Sequence, residues 1–99
     1  MSKEPGKPAR GHIWVHGRVQ GVGFRAFVVE NAHRLGLVGW VRNVGWNQVE
    51  AVAEGERSLL DQWIQAAGTG PRGSRVEDVR VEWEEPTGEF TCFEVTFTH

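Results

Sequence analysis

The sequence predicts an α+β sandwich: two helices on one face of a mostly antiparallel sheet of four to five strands. Short β-branched or alternating runs recur at five places, and two other stretches repeat apolar residues at three- and four-residue spacing. They succeed one another in the order β-α-β-β-α-β, with a short strand at the end. A chain of 99 residues holds one core and not two.

The opening "MSKEPGKPAR" (1–10) is polar and carries two prolines, so it reads as a disordered leader rather than a secretory signal, ahead of a single domain over 11–99. "HIWVH" (12–16) is apolar and β-branched in its middle, which suits a strand. Phe24, Phe27, Val28, Ala32 and Leu35 form one helical stripe, and Gly36 stops it. "LVGWVRN" (37–43) and "QVEAVAE" (48–54) are two strands joined through "VGWN" as a hairpin. Leu59, Leu60, Trp63, Ile64 and Ala67 mark the second helix, closed by Gly68, and "GTGPRGS" (68–74) is a loop. "VEDVRVEW" (76–83) alternates, with Val79, Val81 and Trp83 on one face. "FTCFEVTF" (90–97) is the expected last strand, with Phe93, Val95 and Phe97 on one face. The order is the ferredoxin-like split βαβ arrangement, whose core the tryptophans and phenylalanines mostly fill.

Composition narrows the function. Hydrophobic residues make up 39% and charged residues 24%, close to globular averages. No apolar run approaches the roughly 20 residues that span a bilayer. A single cysteine, Cys92, rules out an internal disulfide and suits a reducing cytoplasm. The net charge of −2 hides an asymmetry. Residues 1–49 carry Lys3, Lys7, Arg10, Arg18, Arg25, Arg34 and Arg42 against Glu4 and Glu30, whereas the second half is strongly acidic. An anion site therefore belongs in the first half. The arginines are spaced and the sum is negative, so no nucleic acid partner is expected. An RNA module of this topology would need exposed aromatics on two central strands; Trp14 and Trp40 are the candidates, without the accompanying signature.

"HGRVQGVGFR" (16–25) places Gly17, Gly21 and Gly23 between the first strand and the first helix. Glycines let successive N–H groups turn inward, and a helix start adds unpaired N–H groups and partial positive charge. Arg25 then sits in the first turn, where the dipole disfavours a cation by about 0.3–1 kcal/mol, and no acid stands between Arg18 and Val29. Two readings follow: a tight turn beside a solvated arginine, or a cradle in which an anion lies between two positive groups. "GVGFRA" (21–26) fits the dinucleotide pattern G-x-G-x-x-A, but no acid follows about 20 residues on, and the Walker lysine is absent too.

Other chemistry is sparse. Cys92 lies mid-strand, Ser58 and Ser74 sit where serine caps helices or makes turns, and His12 and His16 share a strand face without a third metal ligand. Glu77-Asp78 and Glu84-Glu85 read as solvated charge. Asn43 ends a strand before a turn, a common place for asparagine, yet its amide could also hold a water against a phosphoryl group.

"GRVQGVGFR" (17–25), "GWVRN" (39–43), Val49 and Gly55 together resemble the acylphosphatase family over about residues 10–97. The resemblance implies a small α/β sandwich that hydrolyses the carboxyl-phosphate bond of acyl phosphates, without metal or organic cofactor. It implies that Arg25 binds the phosphate, that the backbone amides of Arg18, Val19, Gln20, Gly21, Val22 and Gly23 form the cradle, and that Asn43 orients the attacking water. The expected partner is a small acyl phosphate, with inorganic phosphate or sulfate as product-like ligand, bound by a cytoplasmic monomer. The alternative is a non-catalytic module that binds phosphate or carbamoyl phosphate. Two positions depart from the family: Val44 where threonine is frequent, and Asn47 where glycine is usual, with Asn47 expected to take the left-handed turn position.

Overall fold

A computed structural model describes residues 6–97. Seven elements follow one another: β1 (Pro8–Arg18), α1 (Phe24–Arg34), β2 (Val38–Val44), β3 (Gln48–Glu56), α2 (Arg57–Thr69), β4 (Arg75–Glu84) and β5 (Phe93–Val95). The five strands form one sheet in the order β4-β1-β3-β2-β5, antiparallel except where β5 runs parallel to β2. Both helices pack on one face, giving the ferredoxin-like α+β sandwich that the element order predicts.

The core forms because β1 alternates. Ile13 and Val15 are buried, and with Val41, Val49, Ala51 and Ala53 of the neighbouring strands they face Phe24, Val28 and Ala32 of α1 and Leu60, Trp63 and Ala67 of α2. Trp63 ties the layers together: its indole N–H donates to the Val28 carbonyl at 3.3 Å, and its ring meets Phe93 edge-on at 5.8 Å.

Several boundaries differ from expectation. β1 begins at Pro8, so residues 8–10 of the expected leader are paired strand; Pro8, Ala9 and Arg10 lie opposite Glu56, Gly55 and Glu54. Residues 1–5 of that leader lie outside the described residues. Gly68 lies inside α2, and the helix instead ends at Gly70. β5 is only Phe93–Val95, because the chain before it is held by other bonds: the Thr87 and Gly88 amides donate to the Glu54 carboxylate, and Arg10 lies over the Phe90 ring. Cys92 therefore precedes the strand and is exposed. Phe93 is buried, but Phe97 is 82% exposed, because the chain has run beyond the helices by then.

The face of the sheet away from the helices is a polar network. His12 lies between Glu50 (2.6 Å) and Glu84 (3.1 Å) and stacks on Trp14 at 3.9 Å. Arg42 donates to Glu50 at 2.8 Å; Arg10 donates to Glu84 at 2.8 Å and to Glu54 at 3.0 Å. Glu84, expected as solvated charge, is thus paired twice, since its register opposite Arg10 brings it to both basic groups. Trp14 and Trp40 lie under Arg80 and Arg42 rather than presenting bare rings.

Glu50 and Glu54 are buried. Burial raises the pKa of each, but hydrogen bonds from His12 and Arg42 to Glu50, and from Thr87, Gly88 and Arg10 to Glu54, leave both below the ordinary carboxylate value. Their contribution to stability is therefore complete above about pH 4.3 and is lost as pH falls through the depressed folded values. Thermal melts of a Glu50→Gln, Glu54→Gln double variant are expected to show lower stability at pH 7 but a smaller loss between pH 6 and pH 3 than the unmodified chain; parallel losses would contradict this.

Candidate active site

The chain leaves β1 at Arg18 and enters α1 at Phe24, and the five residues between make the loop. Gly21 and Gly23 both adopt left-handed conformations, with φ of 74° and 75°. Gly23 is the residue that caps α1, and its left-handed turn aims the chain into the helix. The first turn closes when the Phe27 amide donates to the Gly23 carbonyl at 3.0 Å. The amides of Gly23, Phe24, Arg25 and Ala26 therefore have no acceptor within the helix. No side chain caps this end, and the first turn holds no acid.

A cavity of about 320 Å³ opens at this helix end. Val19, Gln20, Gly21, Gly23, Phe24, Arg25 and Ala26 line it from the loop side, Asn43 from the end of β2, and Val95 and Phe97 from the chain after β5. The Arg25 guanidinium lies 5.7 Å from the centre of the Phe97 ring. Asn43 is half-buried, and its Oδ1 is fully enclosed with no hydrogen-bond partner among the described residues. A buried acceptor left unpaired costs about 1–3 kcal/mol, so this atom is an exception to the usual pairing of buried polar groups.

The sequence-predicted residues are brought together with two exceptions. Val22 packs against the core, and Arg18 lines a separate cavity of about 270 Å³ with Trp46, Asn47 and Glu77. Both were expected only as backbone donors. The turn after Asn43 also differs: no residue other than glycine has positive φ among those described, and Gly45 (φ 60°) takes the left-handed position assigned to Asn47. Asn47 instead contacts His16 Nε2 through its side chain at 2.6 Å, and its carbonyl accepts from the Gly17 amide at 2.9 Å. Among the described residues, no three His, Cys, Asp or Glu side chains converge as metal ligands.

Residues 11–95 match the model of the acylphosphatase family. The chain belongs to the acylphosphatase family. It is 48% identical over 87 residues to an acylphosphatase of Roseiflexus sp. (strain RS-1), spanning 88% of this chain and 94% of the relative. An acylphosphatase of Anaeromyxobacter sp. (strain Fw109-5) is 51% identical with the same coverage. The crystal structure of acylphosphatase from Bacillus subtilis aligns with a TM-score of 0.86 at 36% identity, covering 90% of this chain and 99% of that one.

Within this acylphosphatase-family site, Val95 and Phe97 were missed as lining residues. Their apolar alternation in the last strand signals a core face, and nothing local shows that the strand runs past the helices. Gly23 carries the sharpest structural test. A Cβ there would meet nothing within 4 Å, so any cost is purely conformational. Gly23→Ala is expected to lose about 1–2 kcal/mol of unfolding free energy in urea titrations; unchanged stability would contradict the left-handed cap.

Proposed function

We propose that this chain hydrolyses acyl phosphates to carboxylate and inorganic phosphate, using Arg25 and Asn43 at the end of the glycine loop. The observation that carries the reading is that the forked cation Arg25, the glycine loop with the uncapped helix start, and Asn43 line one cavity.

The chemistry follows from the substrate. An acyl phosphate is a mixed anhydride, and its leaving group is a carboxylate that is stable as an anion. No general acid is needed for departure, so catalysis reduces to holding the phosphoryl group and aiming water at phosphorus. The loop amides and the Arg25 guanidinium donate to the phosphoryl oxygens and stabilise charge in the transition state. The planar guanidinium grips two oxygens at once, which a lysine ammonium does not. The Asn43 carboxamide orients the attacking water. The water oxygen bonds to phosphorus, the bond to the acyl oxygen breaks, the carboxylate leaves with that electron pair, and the water proton passes to the phosphate.

The free thiol of Cys92 suits a cytoplasmic setting, and no described helix is long and apolar enough to cross a membrane.

The test is hydrolysis of benzoyl phosphate with EDTA present and inorganic phosphate titrated as a competitive inhibitor. Arg25→Ala and Arg25→Lys are expected to lower kcat/KM by at least about 100-fold, the scale of losing one transition-state donor. Asn43→Ala is expected to lower kcat by a similar factor while leaving phosphate inhibition nearly unchanged. Full activity in either Arg25 variant, or phosphate binding without turnover in the unmodified chain, would overturn the reading.

A further inference from the structure

The two halves of the site stand on strands that are not neighbours. The loop leaves β1 and Asn43 lies next to the end of β2, but β3 lies between them in the sheet. Two strand spacings, about 10 Å, separate the ends of β1 and β2. In-line attack depends on that gap, since a misplacement of about 1 Å between reacting groups can cost on the order of 100-fold in rate.

One side chain bridges the gap. Gln20 precedes Gly21, and its carboxamide nitrogen lies 3.0 Å from the Gly45 carbonyl, 3.0 Å from that of Gln48 and 3.3 Å from that of Val44. These carbonyls belong to the closing end of the β2–β3 hairpin: Val44 is the last residue of β2 and neighbours Asn43, Gly45 lies in the turn, and Gln48 opens β3. A primary amide has two N–H donors, so three acceptors surround two protons and the nitrogen is enclosed on the hairpin side. The backbone bond from Gly17 to Asn47 joins the same segments, but it starts three residues upstream of Gln20 and reaches the β3 side of the turn rather than the Val44–Gly45 side next to Asn43.

We infer that Gln20 is a positioning residue: its carboxamide fixes the distance between the glycine loop, with Arg25, and Asn43. The inference rests on the reading of Arg25 and Asn43 given under Proposed function. The Gln20 carboxamide nitrogen is committed to the hairpin carbonyls, so its side chain acts through Asn43. On that reading phosphate is held by the loop amides, the start of α1 and Arg25, with no group from the hairpin, so loss of the Gln20 side-chain bonds moves turnover more than product binding.

The experiment uses the full chain, benzoyl phosphate as substrate and inorganic phosphate as inhibitor. Gln20→Met keeps the length of the side chain and removes both donors. It is expected to lower kcat by about tenfold or more while the inhibition constant for phosphate changes less than about threefold. In an Asn43→Ala background the same substitution is expected to lower kcat further by less than about twofold, the non-additivity of residues acting in one unit. Gln20→Glu is expected to be slow at pH 7, where a carboxylate faces three carbonyl oxygens, and to recover relative to the unmodified chain as pH falls into the ordinary glutamate range, where a protonated carboxyl donates one O–H. Gln20→Met with a lowered melting temperature but unchanged kcat would overturn the inference alone, as would an equal loss of kcat in the Asn43→Ala background. An unmodified chain without turnover would overturn the functional reading and the inference with it.

Discussion

The backbone amides at the start of α1 have no acceptor inside the helix, and the loop before them supplies neither a capping side chain nor an acid. Most helices resolve this end with Ser, Thr, Asp or Asn. Here the cap is Gly23, and the first turn carries the cation Arg25 and no acid. The end is electrostatically unfinished, and an anion completes it. The left-handed glycines of the loop, the cavity between α1 and β2, and the placement of Asn43 all accommodate that one unmet demand.

The sheet divides the remaining work between its faces. On the helix side, apolar residues of β1 and β3 bury α1 and α2 and so fix where the α1 end points. On the other side, Glu50 and Glu54 gather His12, Arg42 and Arg10, with Trp14 and Trp40 beneath arginines. A buried carboxylate is tolerable only when paired, and each of these accepts from more than one donor. That network anchors the first residues of β1 and the crossing segment 85–92 on the far face from the cavity.

Legibility in the sequence followed sequence distance. The loop, the stripe of α1 and the hairpin strands depend on neighbours within a few residues, so "HGRVQGVGFR" and "LVGWVRN" could be read directly. Arg25 and Asn43 were assigned through the resemblance of "GRVQGVGFR" and "GWVRN" to the acylphosphatase family; the loop and the strand end alone left a plain turn and a solvated arginine open. Arg10 looked like part of a polar leader because its partners Glu54 and Glu84 are 44 and 74 positions away. Glu50 and Glu54 gave no sign of burial inside a strand of ordinary alternation, and the bonds of Gln20 cross to the hairpin 24–28 positions away. The left-handed position of the turn went to Gly45 rather than Asn47 because the hairpin closes at Val44 opposite Gln48, which register alone decides. Phe97 lies at the cavity rim rather than in the core because the paired strand ends at Val95, two residues before it, and the pairing of β5 with β2 is not visible in the local sequence.

The most direct measurement is titration of the isotope-labelled chain with inorganic phosphate, followed through the amide resonances of residues 19–26 and the side-chain groups of Arg25 and Asn43. Saturable downfield shifts of the Gly23 to Ala26 amide protons, together with changes at both side chains, are expected. Shifts confined to the charged face around Arg10 and Arg42, with the helix-start amides unmoved, would contradict an anion held at this helix end.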